Sequence, residues 1–221
     1  MAPNLGLKDV SFAQFEKTLR YPIFLENEAN AGALAEQIKG NTSSDLVYIS
    51  VTHGVGCGII KDGQLYRGKN QRAGEFGHMS VETRGKKCSC GRTGCWELYA
   101  SNYALLERYA SLSKGESVSI EKFISLVNSG DRTAVKTWDQ YLDYLAMGVE
   151  NIILGIDPGA VIIGGELARL GDLLANPLRE RVFIANNFDT VDDITISTSL
   201  LGSDAPITGA AMLPVWNYLY C

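Results

Sequence analysis

Four residues near the middle of the chain carry its most specific chemistry: His78, Cys88, Cys90 and Cys95. Nine residues separate the histidine from the first cysteine, one separates the next pair, and four separate the last pair. One imidazole and three thiolates form the donor set of a closed, tetrahedral zinc site. Gly91 and Gly94 lie between the cysteines and let the backbone fold tightly enough for three sulfurs to converge. Two other readings stand beside this one. The thiols could be reduced surface cysteines, or the zinc could be catalytic. Thiols this dense serve a metal more readily than they sit idle, and four strong protein ligands leave no open coordination position. Metal binding is then linked to folding of the loop that carries the ligands. Cys57 falls in a predicted strand and reads as core, and Cys221 as a bystander.

The elements that must hold this loop follow from hydrophobic spacing. Phe12, Phe15 and Leu19 predict a helix over residues 10–19, followed by a short strand at 21–25. Residues 30–38 form an alanine-rich helix that stops at Lys39-Gly40, and 41–45 is a polar hinge. A buried strand spans 46–51. Segments 57–60 and 64–66 form a hairpin across Asp62-Gly63. Residues 67–94 lack periodicity and read as loop. Residues 95–154 are helical, with a long last helix from Thr133. A strand at 161–163, a helix over 167–181, a strand at 194–197 and a helix over 205–219 complete the chain. Strands alternating with helices give an α/β class with a mixed sheet flanked by helices.

The 221 residues suffice for one large core or for two lobes sharing a cleft. The net charge of -5 argues against DNA binding by the bulk charge of this chain, and leaves open a DNA-binding segment outside it. The longest apolar stretch, 152–163, is interrupted by Asp157, Pro158 and Gly159 and is too short to span a bilayer. The N-terminus lacks a basic region followed by an apolar one, so no signal peptide is expected and the cytoplasm is the expected location.

Gly74-Glu75-Phe76-Gly77-His78 followed by Cys88-Ser89-Cys90-Gly91-Arg92-Thr93-Gly94-Cys95-Trp96-Glu97 resembles the signature of the ROK family of repressors and sugar kinases. Three further stretches agree in order and spacing. Glu26-Asn27-Glu28-Ala29-Asn30 resembles the family's sugar-contacting Asn-Asp segment. Thr52-His53-Gly54-Val55-Gly56-Cys57-Gly58 resembles its second phosphate loop, and Ile163-Gly164-Gly165-Glu166 its turn near the adenosine pocket. The resemblance implies an actin-like, ribonuclease-H-like ATPase fold and a sugar pocket. Asn27, Glu28, Glu75, His78 and Glu97 fall at positions that contact sugar hydroxyls in the family. His78 would serve both sites, with one ring nitrogen on zinc and the other facing the sugar.

The family contains kinases and repressors, and two departures separate them. Its kinases carry Asp where this chain has Glu28, as general base for the sugar hydroxyl. Its kinases also open with an Asp-x-Gly-x-Thr loop, which is not found here. His53 stands where a small residue is usual. With Ala2-Pro3-Asn4-Leu5, the string Glu26 to Ala33 is most similar to xylose-responsive repressors of the family. The resemblance therefore implies no catalytic residue, a monosaccharide effector, a homodimer, and operator DNA bound through an absent N-terminal helix-turn-helix. A fragment of an ATP-dependent sugar kinase is the alternative, and a pure dimerisation module the third. By the same resemblance, residues 1–44 are the remnant of a first lobe and 45–204 are the second lobe with its zinc loop. Residues 205–221 are a helix returning toward the first lobe, with Leu213, Trp216 and Leu219 on a face left without its partner.

Overall fold

Residues 46–51 set the architecture. β1 (Leu46–Val51) is buried at all six positions, so both faces of the strand are covered. Its side chains alternate between two cores, as the period of two requires. Val47, Ile49 and Val51 enter one, while Leu46 and Tyr48 enter the other. β1 pairs antiparallel with β2 (Val55–Lys61) and parallel with β4 (Ala160–Gly165). β3 (Gln64–Leu65) flanks β2, and β5 (Thr195–Thr198) flanks β4, giving a mixed sheet of order β3-β2-β1-β4-β5. The computed structural model describes residues 10–39, 43–115, 117–184 and 193–220, without the side chains of 219 and 220.

The β2–β3 hairpin turns at Asp62 and Gly63, both with positive φ (51° and 73°). That is the backbone a two-residue hairpin turn demands. On one face of the sheet lie α2 (Glu28–Ile38) and α8 (Ala205–Tyr220), packed on each other and on Leu46, Tyr48, Ile60 and Ile162. The other face carries α3 (Glu97–Ala100), α4 (Asn102–Leu112), α5 (Ile120–Asn128), α6 (Arg132–Ile156) and α7 (Asp172–Ile184). α6 buries Leu145, Val149 and Ile152 against β1 and β4. Asp131 caps its first turn by accepting from the Ala134 amide, and Asp157 ends it in the left-handed conformation. Among the described residues no helix is long and apolar enough to cross a membrane.

Three expectations are corrected. Residues 21–25 form no strand: Tyr21 and Leu25 are exposed, and no described strand lies beside them to complete a ladder. The helix expected over 167–181 is two elements, a 3-10 turn Glu166–Leu170 and then α7, broken at Gly171 (φ 53°, ψ -126°). The last helix is not left bare, since Leu213 is 3% exposed and Trp216 packs beside it on the α2 side of the sheet. The Leu219 side chain, Gly40 of the expected helix stop, residues 41–42 of the expected hinge, residues 1–9 and Cys221 lie outside what is described. α1 (Ala13–Leu19) forms within the helix expected over 10–19 and buries no side chain.

Candidate metal centre and ligand pocket

β3 covers β2 only at Ile60 and Lys61, so the edge of β2 at Val55 and Cys57 is open. The Gly74-Glu75-Phe76-Gly77-His78 segment closes it. Gly74 has a φ of 86° and lies against the Cys57 carbonyl, and Gly77 lies against the Val55 carbonyl. A Cβ at either position would collide with that backbone. Between these contacts the chain makes one 3-10 turn, Glu75–His78, which sets Glu75 and His78 on neighbouring positions. The remainder of the loop is pinned by sparse backbone pairing. The Val81 amide donates to the Gly94 carbonyl, Gly94 donates to Lys86, and Trp96 donates to Met79. Trp96 then anchors the end of the loop. It is fully buried, its indole Nε1–H donates to the Tyr144 carbonyl on α6 at 2.7 Å, and its ring covers Gly148.

This framework brings one donor atom each from His78, Cys88, Cys90 and Cys95 within 4.8 Å of one another. Cys88 Sγ lies 3.6 Å from His78 Nδ1, and Cys90 Sγ lies 3.5 Å from Cys95 Sγ. A tetrahedral ion with sulfur at about 2.3 Å and nitrogen at about 2.0–2.1 Å has ligand–ligand edges of about 3.5–3.8 Å. The cluster thus has the donors and the spacing to hold a metal ion. Burial and the neighbouring sulfurs hold the Cys95 thiol well above its ordinary range. Burial also raises Cys88, helped by Glu97. Burial opposes ionisation of Cys90 too, but the Arg92 amide and the other two cysteines outweigh it and lower its pKa. Sulfurs that compete for charge in this way are what a bound cation relieves.

His78 presents its two nitrogens to two surroundings. Nδ1 faces Cys88 and the cluster, while Nε2 points to the other side, 3.8 Å from Glu75 Oε2. Glu97 Oε1 accepts from the Cys88 thiol at 3.1 Å and lies 3.2 Å from His78 Nδ1. Its other oxygen approaches Gly54 in the β1–β2 turn. Glu75, by contrast, has a half-exposed side chain.

Asn27 and Glu28 come from the N-terminus of α2. Asn27 is the N-cap: Oδ1 accepts from the Ala29 amide at 2.9 Å and the Asn30 amide at 3.4 Å. Only the Nδ2 amide is left to meet a ligand. Glu28 occupies the first helical position and accepts a 2.7 Å hydrogen bond from Ser50. Glu26 braces this segment. It bonds Arg67 at 2.7 Å and Asn30, and despite a desolvation penalty these partners hold its carboxyl below the usual range. Residues 54–56 connect the two groups, because Gly54 faces Glu97 and Gly56 faces Ala29 at the start of α2. Sequence reasoning missed Ser50, Trp96 and the capping role of Asn27. An Asn before an alanine-rich helix was a readable cap signal, whereas the Ser50–Glu28 pair is set by strand register alone.

The ROK family profile matches residues 1–215. The chain is 33% identical to the xylose repressor of Bacillus spizizenii, over 98% of this chain and 57% of that protein. It is 34% identical to the glucokinase of Thermotoga maritima, over 86% of this chain and 65% of the other. Among solved structures, a ROK family glucokinase from Streptomyces griseus in complex with glucose and AMPPNP superposes with a TM-score of 0.86. It shares 28% identity and aligns with 96% of this chain and 75% of its own. The mixed sheet with helices on both faces is therefore the actin-like fold of ROK sugar kinases. The chain spans little more than half the length of the xylose repressor it matches.

Proposed function

The chain belongs to the ROK family, and from that premise we propose that it is the sugar-sensing part of a transcriptional repressor that responds to xylose or a related sugar. The similarity to xylose repressors extends over nearly the whole chain. The observation that carries the reading beyond similarity is the Glu28–Ser50 hydrogen bond. A general base must come within about 2.6–3.2 Å of the proton it takes. Family kinases resemble this chain but carry the shorter Asp at this position. Glu28 is longer by a methylene and the Ser50 hydrogen bond fixes where its carboxylate sits, so its oxygens fall about 1 Å from where the shorter Asp would place them, and it holds a sugar hydroxyl rather than activating it. A misplacement of about 1 Å costs on the order of 100-fold in rate.

In this proposal the sugar lies among Asn27, Glu28, Glu75, His78 and Glu97. Zinc occupies the cluster of His78, Cys88, Cys90 and Cys95, where a closed N/S donor set suits it better than magnesium or calcium. Bound there, it would brace the loop. His78 faces the cluster with Nδ1, which leaves Nε2, on the Glu75 side, to meet the sugar. Carboxylates and an amide then read the hydroxyls, and a sugar lacking one leaves them unpaired. Effector action is differential binding between two arrangements of the whole repressor. Operator DNA is held by a helix-turn-helix outside this chain. The same reading makes the protein a cytoplasmic homodimer. It also divides the chain into a first-lobe remnant (1–44), a second lobe (45–204) and a returning helix (205–221). A sugar kinase is the second reading, and it is favoured by the similarity to glucokinases.

Calorimetry of the zinc-loaded protein with xylose and glucose tests the site, and operator binding by the complete repressor tests the switch. Operator affinity unchanged by saturating sugar overturns the repressor. Sugar-dependent ADP release by the complete protein establishes the kinase instead.

A further inference from the structure

Beside Glu97, and away from α2, a cavity of about 290 Å³ opens between the metal loop and the start of α4. His53, Lys86, Lys87, Glu97, Tyr103 and Glu107 line it. We propose that this cavity is a second saccharide subsite, which accepts a further pyranose ring linked to the sugar held at Glu97. The effector is then a disaccharide or short oligosaccharide. The inference rests on the sugar reading given above and names its ligand class.

Three observations carry it. The first is a shared residue: Glu97, one of the residues proposed to hold the sugar, also lines the cavity. One carboxylate oxygen is turned to the metal cluster and the other to the Gly54 turn, so a sugar bonded to Glu97 would have the cavity alongside it. The second is the aromatic wall. The rings of His53 and Tyr103 pack with centroids 4.8 Å apart at 45°, and both residues are exposed with no role in the core. A packed aromatic pair that stands free of the core is a ready surface for the C–H face of a pyranose. The third is the polar rim and the size. Lys86 is ion-paired with Glu107 on α4, which leaves that pair near neutral, and Lys87 adds a donor. A rim with as many carboxylates (Glu97, Glu107) as lysines (Lys86, Lys87) suits hydroxyls better than a phosphate. The volume falls just below the usual range of ligand pockets, about 300–1,000 Å³. It suits one ring and not a nucleotide.

The test is calorimetry on the full zinc-loaded chain, with xylose against xylobiose and glucose against cellobiose. In one of the two pairs the disaccharide binds about tenfold tighter than its monosaccharide, equivalent to about 1.4 kcal/mol. Tyr103→Ala removes that advantage and leaves monosaccharide affinity unchanged, while Tyr103→Phe retains most of it. Monosaccharide binding with no gain from the second ring in either pair overturns the subsite and leaves the sugar reading intact. So does equal loss for both ligands in Tyr103→Ala. Failure of all four sugars to bind overturns the sugar reading, and the subsite with it.

Discussion

Asn27 caps α2, and in the proposed function it also meets the sugar; substitution can separate the two. Its Oδ1 caps α2 through the Ala29 and Asn30 amides, and its Nδ2 is the group that would meet a sugar hydroxyl. Asn27→Ala removes both. Loss of the cap costs about 1 kcal/mol, within a range of about 0.5–2. In a chain of this length that lowers Tm by about 2–4 °C. Loss of the amide removes a hydrogen bond of net value about 0.5–1.5 kcal/mol, which weakens sugar binding about two- to tenfold. Asn27→Ser divides the effects. Serine caps about as well as asparagine, so Tm should stay within about 1 °C of the parent, but its single short hydroxyl is spent on the cap. Sugar affinity should fall as far in Ser as in Ala. Differential scanning calorimetry and titration calorimetry on the same samples read both quantities. If the Ser variant binds sugar like the parent, Nδ2 is not a ligand contact. If Ser and Ala melt together well below the parent, the stability loss is not the loss of the cap.

Three other outcomes are expected. Stripping the metal with a chelator should abolish hydrogen-exchange protection of the Val81 and Gly94 amides, which bond only within the loop. α6 should keep its protection, and unchanged exchange at Val81 would show that the loop needs no metal. Gly148→Ala drives a methyl into the Trp96 indole and should cost about 1–3 kcal/mol by overpacking. An unaltered melting temperature would mean that Trp96 does not sit there. Glu26 is held below its ordinary pKa in the folded state, so the folded protein binds fewer protons than the unfolded chain between that lowered value and 4.5. Its contribution is complete above that window and is lost as the pH falls through it. Urea midpoints of the parent and Glu26→Gln should therefore converge on acidification, and a constant gap would exclude the ionised Glu26 carboxylate, held by Asn30, the Asn27 amide and Arg67, as its source.

Much of the molecule was legible before folding because its signals are local. The Asp62-Gly63 turn needs only its own backbone preference. β1 is marked by six residues suited to burial on both faces. The spacing of His78, Cys88, Cys90 and Cys95 points to a metal because few other purposes bring three thiols so close. Residues 21–25 have strand-like composition but no neighbour to pair with, and Gly171 interrupts a helix whose hydrophobic spacing looked continuous. Pairing and burial are contacts across the chain, and a one-dimensional pattern does not contain them. The same holds at the site. The sequence alone determined which residues could hold a metal, and its resemblance to the family which residues are proposed to read a sugar. Only the tertiary structure decided that strand register sets Ser50 against Glu28, that Asn27 spends its oxygen on a helix cap, and that Leu213 of α8 is buried on α2's side of the sheet. It also decided that Glu97 is a wall shared between the metal cluster and the cavity beyond it. Each of these depends on two segments distant in sequence approaching to within hydrogen-bonding or van der Waals range, which the packing of the sheet and helices alone imposes.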